Sequence, residues 1–530
     1  MALDRRRLLG AGAALGAALA APRLAEAQNR RVLRFIPQAD LGVLDPIWTA
    51  GYVTRNHGLL VFDTLYGTDS QMRAQPQMVE GHRVEDAGHT WILTLREGLL
   101  FHDGQPVLAR DCVASIQRWG RRDSFGQSLL AATDELRADD DRTIRFRLKK
   151  PFPLLAHALG KAGSNICAIM PQRLAETDPF RQVTEMVGSG PFRFLAEERV
   201  AGARTVYARF DRYQPRQEGI ADFTAGPKRA HFDRIEWHVL PDTATAAAAM
   251  QSGEMDWWEN PSFDLLPLLR RQRALEVSLQ DRSGYIGNMR FNQLQPPFNN
   301  PALRRAILRA VRQEDFMQAI AGDNQDSWTA GVGFFCPGTP MATDAGLSAM
   351  AGPRDMAAAR REVASSGYAG ERVVLPVPND FPILKAMGEV GADLLKQVGL
   401  NVDVQATDWG SLLQRLAKTE PVEEGGWSVF HTYWSGLDQL NPAVHAYLRA
   451  NGRAGGRGWP TSPQLESLRA AWLDAGDEAE QKRIAVAMQE QALQDVPYVP
   501  LGQMLVPVVR RRNLQDMLSG FSLFWNIRRA

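Results

Sequence analysis

Two short segments combine residue types that carry out chemistry in enzymes. GSGP at 188–191 resembles the turn that presents a nucleophilic serine, and HDG at 102–104 places an imidazole beside a carboxylate, as an acid and base pair requires. The first segment lacks the residue that should separate Ser189 from the second glycine, and Pro191 follows at once. Asp-Gly between a strand and a helix is typical of a turn. Both segments are therefore interpreted as turns.

Standard catalytic and cofactor signatures are absent from the sequence. It contains no H-E-x-x-H, no G-x-S-x-G, no Walker A lysine loop, and no G-x-G-x-x-G after a strand. The nine histidines are scattered without the spacing of metal ligands. Most of the thirteen tryptophans should lie in the core, but a cluster beside a polar tract is a candidate ligand wall. The sequence indicates no catalysis, and we expect no cofactor.

The three cysteines, Cys112, Cys167 and Cys336, lie far apart in the sequence and form no C-x-x-C pair. This spacing indicates neither a disulfide framework nor a zinc knuckle. We expect buried free thiols. One bridge among the three stays open as an alternative, because the N-terminus points to export.

Length and composition limit the class of protein. A chain of 530 residues exceeds the usual domain of roughly 100 to 200 residues, so at least two domains or lobes are expected. The hydrophobic fraction of 45% and the charged fraction of 23% are those of a globular protein with a large core. The formal net charge of +1 gives no basic field for nucleic acid or anionic lipid.

The first 27 residues have the pattern of a cleavable signal peptide. A basic start is followed by an uncharged stretch, Leu8–Ala21, and then by small residues at Ala25 and Ala27. The uncharged stretch is shorter than the roughly 20 residues that a membrane span needs. The segment RRRLL at 5–9 matches the twin-arginine pattern. We predict cleavage after Ala27, export in the folded state, and a free periplasmic protein, since no lipobox cysteine follows.

Hydrophobic periodicity then sets out the elements of the mature chain. Residues 34–238 are predicted to be mostly strands with short helices, and the segments 90–96 and 143–149 alternate clearly between apolar and polar residues. Two strand, helix, strand units follow. Their elements are strand 235–239, the alanine-rich helix between Asp242 and Gly253, and strand 255–257 in the first, and strand 373–377, helix 384–398 and strand 400–404 in the second.

Three further elements are predicted between and after these units. Asn300 and Pro301 supply the cap and first position of an amphipathic helix, whose arginines should face water. A last amphipathic helix spans 478–493, and an extended segment spans 498–509.

Several segments, read in order, resemble the bacterial extracellular solute-binding protein family 5, the dipeptide-, oligopeptide- and nickel-binding proteins of ABC importers. The most specific is the block His89–Trp119. The other matching segments are LDP at 44–46, VFDTL at 61–65, VGSGPF at 187–192, AAMQSGEMD at 248–256, the helix start at 300–311, and DVPYVPL at 495–501. Because their order and spacing are kept along nearly the whole mature chain, the chain is identified as a member of this family.

The resemblance implies an α/β fold of the periplasmic-binding-protein type II. Two lobes with mixed sheets would close like a clamshell on a ligand, and the first lobe would carry an extra strand-rich subdomain. The expected boundaries are 28–286 for the first lobe, 287–496 for the second and 497–530 for the return, with hinges near Tyr285–Asn292 and Pro497. Ligand contacts present only in the closed form would shift the population toward it, and the transporter would read closure.

The resemblance also points to a recognition tract, GWSVFHTYWSGLDQLNP at 426–442. In peptide-binding relatives an aspartate shortly after a tryptophan pairs with the ammonium group of the peptide. Here Leu437 occupies the expected position and the acid follows at Asp438, while Asn441 stands where relatives often have an acid. This shift favours a ligand other than an ordinary dipeptide. The candidate ligand-binding residues are Trp434, Asp438, Tyr433, Trp409 and Asn292. In the alternative interpretation, Tyr433 and Trp434 are core and Asp438 caps a turn.

The predicted function is therefore that of a monomeric substrate-binding protein. It would capture a small peptide or another organic solute and deliver it to ABC transporter permease subunits in the inner membrane. An exported hydrolase on a two-lobed scaffold is one alternative, and it would need a nucleophile and a base that the sequence does not show. A metal- or haem-scavenging binding protein is the other, and it too lacks positive residue evidence.

Overall fold

The computed structural model describes residues 31–350 and 354–530, so the predicted signal peptide lies outside the described residues. The strands are β1 (Val32–Ile36), β2 (Tyr66–Thr68), β3 (Ala74–Pro76), β4 (Val79–Glu85), β5 (Thr90–Leu95), β6 (Thr133–Ala138), β7 (Thr143–Leu148), β8 (Phe192–Phe194), β9 (Arg204–Arg209), β10 (Arg234–His238), β11 (Trp257–Trp258), β12 (Leu275–Ser278), β13 (Tyr285–Phe291), β14 (Trp328–Thr329), β15 (Arg372–Pro378), β16 (Asn401–Thr407), β17 (Val429–Ser435), β18 (Val499–Met504), β19 (Val508–Arg511), β20 (Leu514–Gln515) and β21 (Arg528–Arg529).

The helices are α1 (Tyr52–Val61), α2 (Ala109–Gly120), α3 (Ser124–Ala132), α4 (Leu155–Leu159), α5 (Gln172–Ala175), α6 (Thr243–Ser252), α7 (Leu266–Arg270), α8 (Pro301–Ala310), α9 (Gln313–Ala321), α10 (Met356–Ser365), α11 (Pro382–Gln397), α12 (Trp409–Arg415), α13 (Pro463–Asp474) and α14 (Glu478–Asp495). Within the described ranges, none of these helices has the length and apolar character needed to cross a membrane.

The first lobe is built on a seven-stranded mixed sheet in the order β12-β19-β11-β1-β10-β9-β8. Strand β1 lies parallel to both β10 and β11, which the predicted helix α6 connects. Asp242 accepts a hydrogen bond from the Thr245 amide at the start of α6, and Gly253 ends the helix with φ of +87°. The first predicted unit is therefore confirmed, with β1 inserted between its strands and its second strand at Trp257–Trp258.

The second lobe contains a four-stranded antiparallel sheet in the order β14-β18-β13-β17 and a separate parallel pair, β15 and β16. Helix α11 connects the parallel pair, which confirms the second predicted unit. Reciprocal hydrogen bonds between Ser428 and Val374 fasten this pair to the end of β17.

The extra subdomain is a four-stranded antiparallel sheet in the order β4-β5-β7-β6, with α2 and α3 packed on it. Its two central strands are the alternating segments predicted from the sequence. The side chains on the inward face of these two strands are buried, and they are Trp91, Leu93, Leu95, Ile144, Phe146 and Leu148. Burial of one face of each strand holds this sheet to the rest of the first lobe.

Two connections join the sheet of the first lobe to the four-stranded sheet of the second. Strands β12 and β19 belong to the first lobe, whereas β13 and β18 belong to the second. Residues 279–284 and 505–507 connect these strands, and we call them the crossing segments. The boundaries at 287 and 497 stay predictions, and they fall inside β13 and just before β18.

One expectation about α8 is wrong. The cap is as predicted, because the Asn300 side chain accepts a hydrogen bond from the Ala302 amide. Arg304, however, is buried rather than exposed to water. Its guanidinium donates to the carbonyl oxygens of Phe298 and Asp495, so it joins α8 to the end of α14.

Candidate functional site

A row of five aromatic rings runs from the first lobe into the second. It begins at Tyr52 on α1, and neighbouring ring centroids lie 5.7 Å apart for Tyr52 and Tyr285 and 5.1 Å apart for Tyr285 and Tyr433. The row continues through Phe381, 6.1 Å from Tyr433, to Trp409, 5.8 Å from Phe381. These spacings are those of interacting aromatic pairs. We call these five residues the aromatic row.

Strand geometry explains which side chains join the aromatic row. Tyr285 lies opposite Ser435 and Gly287 lies opposite Tyr433, so Tyr285 and Tyr433 share one face of the sheet. Trp434 must therefore point to the other face, where its ring packs 5.0 Å from that of Tyr447.

Asp438 lies at the contact between the lobes. It is 3% exposed, in the short helical turn Gly436–Gln439 that follows β17. The main-chain amide and the hydroxyl of Ser164 in the first lobe donate to its Oδ1 at 2.9 and 2.8 Å. Its other oxygen, Oδ2, is buried and has no hydrogen-bond partner within the described residues. A carboxylate held in this way offers one oxygen to a cationic group.

Tyr52 forms a second bond between the lobes. Its hydroxyl accepts a hydrogen bond of 2.5 Å from the Ser435 amide at the end of β17. Burial raises the pKa of Tyr52 well above its ordinary value, and the charge of Asp438 raises it further. The Tyr52 hydroxyl therefore stays protonated.

A small cavity of about 30 Å³ adjoins the aromatic row at the crossing segments. Its lining includes Glu259, Asp281, Tyr285 and Phe521. Burial raises the pKa of both acids above their ordinary values. Hydrogen bonds from Gln38, Asn56 and Ser522 to Glu259 oppose this rise, as do those from Ser283 to Asp281.

The residues proposed from the sequence separate into four groups. Tyr433 and Trp409 belong to the aromatic row, and Asp438 lies at the lobe contact. Trp434 lies on the opposite face of the sheet from Tyr433. Asn292 makes no hydrogen bond to any of them, because its amide nitrogen donates to the Trp427 carbonyl and its amide oxygen accepts from the Leu294 amide.

Sequence reasoning missed Tyr52, Phe381 and Ser164 as members of this region. Tyr52 opens a helix that is buried along its whole length, and an entirely buried helix gives no amphipathic signal. Phe381 and Ser164 lie in connections between elements, where local pattern does not show what they face. Tyr285 fell within the predicted hinge but was not proposed for the site.

The segments GSGP at 188–191 and HDG at 102–104 are both turns, as interpreted from the sequence. A Cβ at Gly188 would lie 2.0 Å from the Val61 carbonyl oxygen, so this turn packs directly against the end of α1. Gly104 has φ of +89°, which a turn with glycine permits. Burial lowers the pKa of His102 to about 4, and its Nε2 lies 3.0 Å from the Gly190 carbonyl oxygen.

The three cysteines are free and buried. In the part of the chain that the structure describes, no group of three or more His, Cys, Asp or Glu side chains is arranged to hold a metal ion.

Comparison with known proteins places this geometry in a family. The family model of the bacterial extracellular solute-binding proteins, family 5, matches residues 73–455. A probable peptide ABC transporter periplasmic-binding protein of Sinorhizobium fredii is 36% identical over the full length of both chains.

Solved structures show the same fold. A periplasmic binding protein of Agrobacterium tumefaciens in complex with agropinic acid superposes with a TM-score of 0.78 at 19% identity, covering 94% of this chain and 99% of the other. The binding protein DppA of Helicobacter pylori in complex with the peptide STSA gives 0.77 at 20% identity, covering 95% and 99%. The predicted two-lobed type II fold is confirmed. The chain belongs to the bacterial extracellular solute-binding proteins, family 5.

Proposed function

We propose that this protein is the periplasmic substrate-binding component of an ABC importer and captures a small peptide or another organic solute between its lobes. Membership of the family and the names of its relatives support a binding protein, and nothing in them supports the alternative of an exported hydrolase. The observation that carries the proposal is the free, buried Oδ2 of Asp438 at the contact of the two lobes.

The ligand should carry a cationic group. Asp438 would accept a hydrogen bond from that group through Oδ2, while Ser164 continues to hold Oδ1. Asp438 is buried, so a charge-assisted hydrogen bond is stronger there than at the surface. The aromatic row, which includes Tyr433 and Trp409, would form an apolar wall beside the charge.

Closure of the lobes builds this site. The Ser164–Asp438 and Tyr52–Ser435 hydrogen bonds each join the first lobe to the second, so both are lost when the lobes separate. A ligand that binds only the assembled site shifts the population toward the closed form. The permease subunits would distinguish closed from open protein by the relative position of the lobes.

The setting of this function follows from the predicted signal peptide. We propose export by the twin-arginine route, cleavage after Ala27 and a monomer in the periplasm. The relatives named as periplasmic-binding proteins support this location.

Native mass spectrometry of protein purified without denaturation tests the proposal. We expect a non-covalent adduct whose released small molecule contains a protonatable nitrogen and is recovered unchanged after prolonged incubation with fresh protein. Conversion of that molecule by the protein, but not by buffer, would contradict the binding function. Recovery of a molecule with no cationic group would contradict the role of Asp438.

A further inference from the structure

Arg55 on α1 is a buried cation with an unused hydrogen-bond donor. Its residue is 3% exposed. Nε and Nη2 donate to the Asn56 side-chain oxygen at 3.2 and 3.1 Å, whereas Nη1 is buried without a partner among the described residues. No ion pair of Arg55 within 4.0 Å is found in the described chain. A buried charge without a contacting counter-charge is costly, so a negative group at Nη1 would be strongly favoured.

The position of Arg55 places this donor beside the proposed site. Its guanidinium carbon lies 5.0 Å from the Tyr52 ring centroid and 3.5 Å from that of Phe521. Phe521 and Tyr285 both line the cavity at the crossing segments. Arg55 is therefore held at the first-lobe wall, in contact with the first ring of the aromatic row.

The acids nearest to Arg55 are engaged elsewhere. The Glu259 carboxylate accepts hydrogen bonds from Gln38, Asn56 and Ser522, and Asp281 accepts from Ser283. Neither acid has an oxygen within 4.0 Å of the Arg55 nitrogens, although both interact with its charge at longer range. Asn56 fixes the orientation of the guanidinium and leaves Nη1 for another group.

Tyr52 contacts Arg55 and also the segment that carries Asp438, two buried and opposite charges that each have one free atom. Arg55 packs on its ring, and its hydroxyl accepts a hydrogen bond from the Ser435 amide, three residues before Asp438. We propose that the cleft selects a zwitterion, with Arg55 Nη1 holding a carboxylate of the ligand and Asp438 Oδ2 holding its ammonium group. This assignment rests on the proposed binding function and adds the anionic half of recognition from the first lobe.

Calorimetry with matched probes tests the assignment. The probes are free amino acids and dipeptides, each also prepared as the C-terminal amide and as the N-acetyl derivative. We expect the tightest free zwitterion to bind at least about 30-fold more tightly than its amide, because amidation leaves the buried guanidinium unpaired. Arg55→Gln should remove this difference in affinity, because it should weaken binding of the free acid and leave binding of the amide unchanged. Asp438→Asn should weaken the free acid and the amide alike.

Controls separate recognition from folding. Arg110→Gln removes an exposed arginine from α2 and should leave the ratio unchanged. Arg55→Lys keeps the positive charge, so this variant should still bind the free acid more tightly than the amide, by a smaller factor than the unchanged protein. Melting temperatures of ligand-free variants show whether each is folded.

The outcomes that overturn the assignment are distinct. It fails if amidation costs no affinity in the unchanged protein, if Arg55→Gln weakens free acid and amide equally, or if no zwitterionic probe binds. An unchanged affinity in Asp438→Asn alone contradicts the ammonium contact of the proposed function and, with it, recognition of a zwitterion. The carboxylate contact of Arg55 is tested separately, by the ratio of the affinities for the free acid and its amide.

Discussion

Ser164 and Asp438 come from opposite lobes, and the amide and hydroxyl of the serine both donate to one oxygen of the carboxylate, at 2.9 and 2.8 Å. The carboxylate is thus fixed from the first lobe on one side and left free on the other. Because two separate lobes supply this arrangement, the proposed site for a cation would be complete only when they meet.

Gly163 allows this approach of the lobes. A Cβ at this position would lie 2.5 Å from Asp438 Oδ1, well inside normal contact. Gly163→Ala should weaken binding of the co-purified ligand by about 1 to 3 kcal/mol, because the methyl group opposes closure. Small-angle scattering should show less compaction on ligand addition than in the unchanged protein. Gly476→Ala, where a Cβ meets nothing within 4 Å, serves as the control. Equal compaction of Gly163→Ala and Gly476→Ala on ligand addition would contradict the prediction that a methyl group at position 163 opposes closure.

Tyr433 and Trp434 should respond differently to replacement by alanine. Tyr433 belongs to the aromatic row, so Tyr433→Ala should weaken ligand binding by about 0.5 to 1.5 kcal/mol or more. Trp434 packs on Tyr447 on the other face, so Trp434→Ala should lower the free energy of unfolding by about 1 to 3 kcal/mol. Calorimetry and urea unfolding on both variants measure the two effects. Loss of affinity in Trp434→Ala with unchanged stability would identify Trp434 as the ligand wall.

Local sequence pattern was sufficient for most elements of the fold. The alternating strands β5 and β7, the capped helices α6 and α8, and the β15–α11–β16 unit all follow from periodicity and end signals that act over a few residues. Arg304 shows the limit of this reasoning. Its position between apolar residues predicts exposure, but carbonyl groups at the end of α14, distant in sequence, accept its hydrogen bonds.

The candidate site could be predicted only in part, because two lobes form it. The tract at 426–442 supplied Tyr433 and Asp438, since both lie in one segment with a recognisable pattern. Ser164 and Tyr52 meet this tract through tertiary contacts that join residues hundreds of positions apart. The hydrophobic periodicity of the segments around Ser164 and Tyr52 does not indicate such a contact. The face of the sheet on which Trp434 lies likewise follows from the register of the paired strands and not from the neighbouring residues in the sequence.

A buried ion pair in the first lobe should give the protein a characteristic acid sensitivity. Burial opposes ionisation of Asp63, but the Lys228 ammonium at 2.7 Å and the Tyr213 hydroxyl hold its pKa below the ordinary 3.8. The stabilisation is therefore present above the ordinary pKa and is lost as the pH falls through the lowered one. Asp63→Asn should reduce the free energy of unfolding by roughly 3 to 5 kcal/mol at pH 7.

Urea unfolding of both proteins between pH 7 and pH 3 measures this effect. The difference between them should shrink toward the acid end, because below the ordinary pKa the unfolded chain binds a proton at Asp63 that the folded protein does not bind. A difference that stays constant across this range would show that the loss arises from packing rather than from ionisation.

Export should depend on the arginines of the predicted signal peptide. Replacing Arg5 and Arg6 together by Lys should prevent appearance of the protein in the periplasm, because the twin-arginine route reads this pair. Fractionation and N-terminal sequencing measure location and cleavage, with Gln28 expected as the first residue of the mature chain. Normal export of the double variant would assign the protein to the general secretory route.

Calorimetry of Asp438→Asn with the co-purified ligand tests the central claim most directly. Asparagine keeps the size of the side chain and removes its charge, so a cationic ligand should bind more weakly by roughly 2 to 5 kcal/mol. Asp264→Asn changes an exposed acid in the same way and should bind the ligand as the unchanged protein does. An affinity loss confined to Asp438→Asn is the predicted result, and unchanged affinity in a folded Asp438→Asn variant would contradict the recognition of a cation at the contact of the lobes.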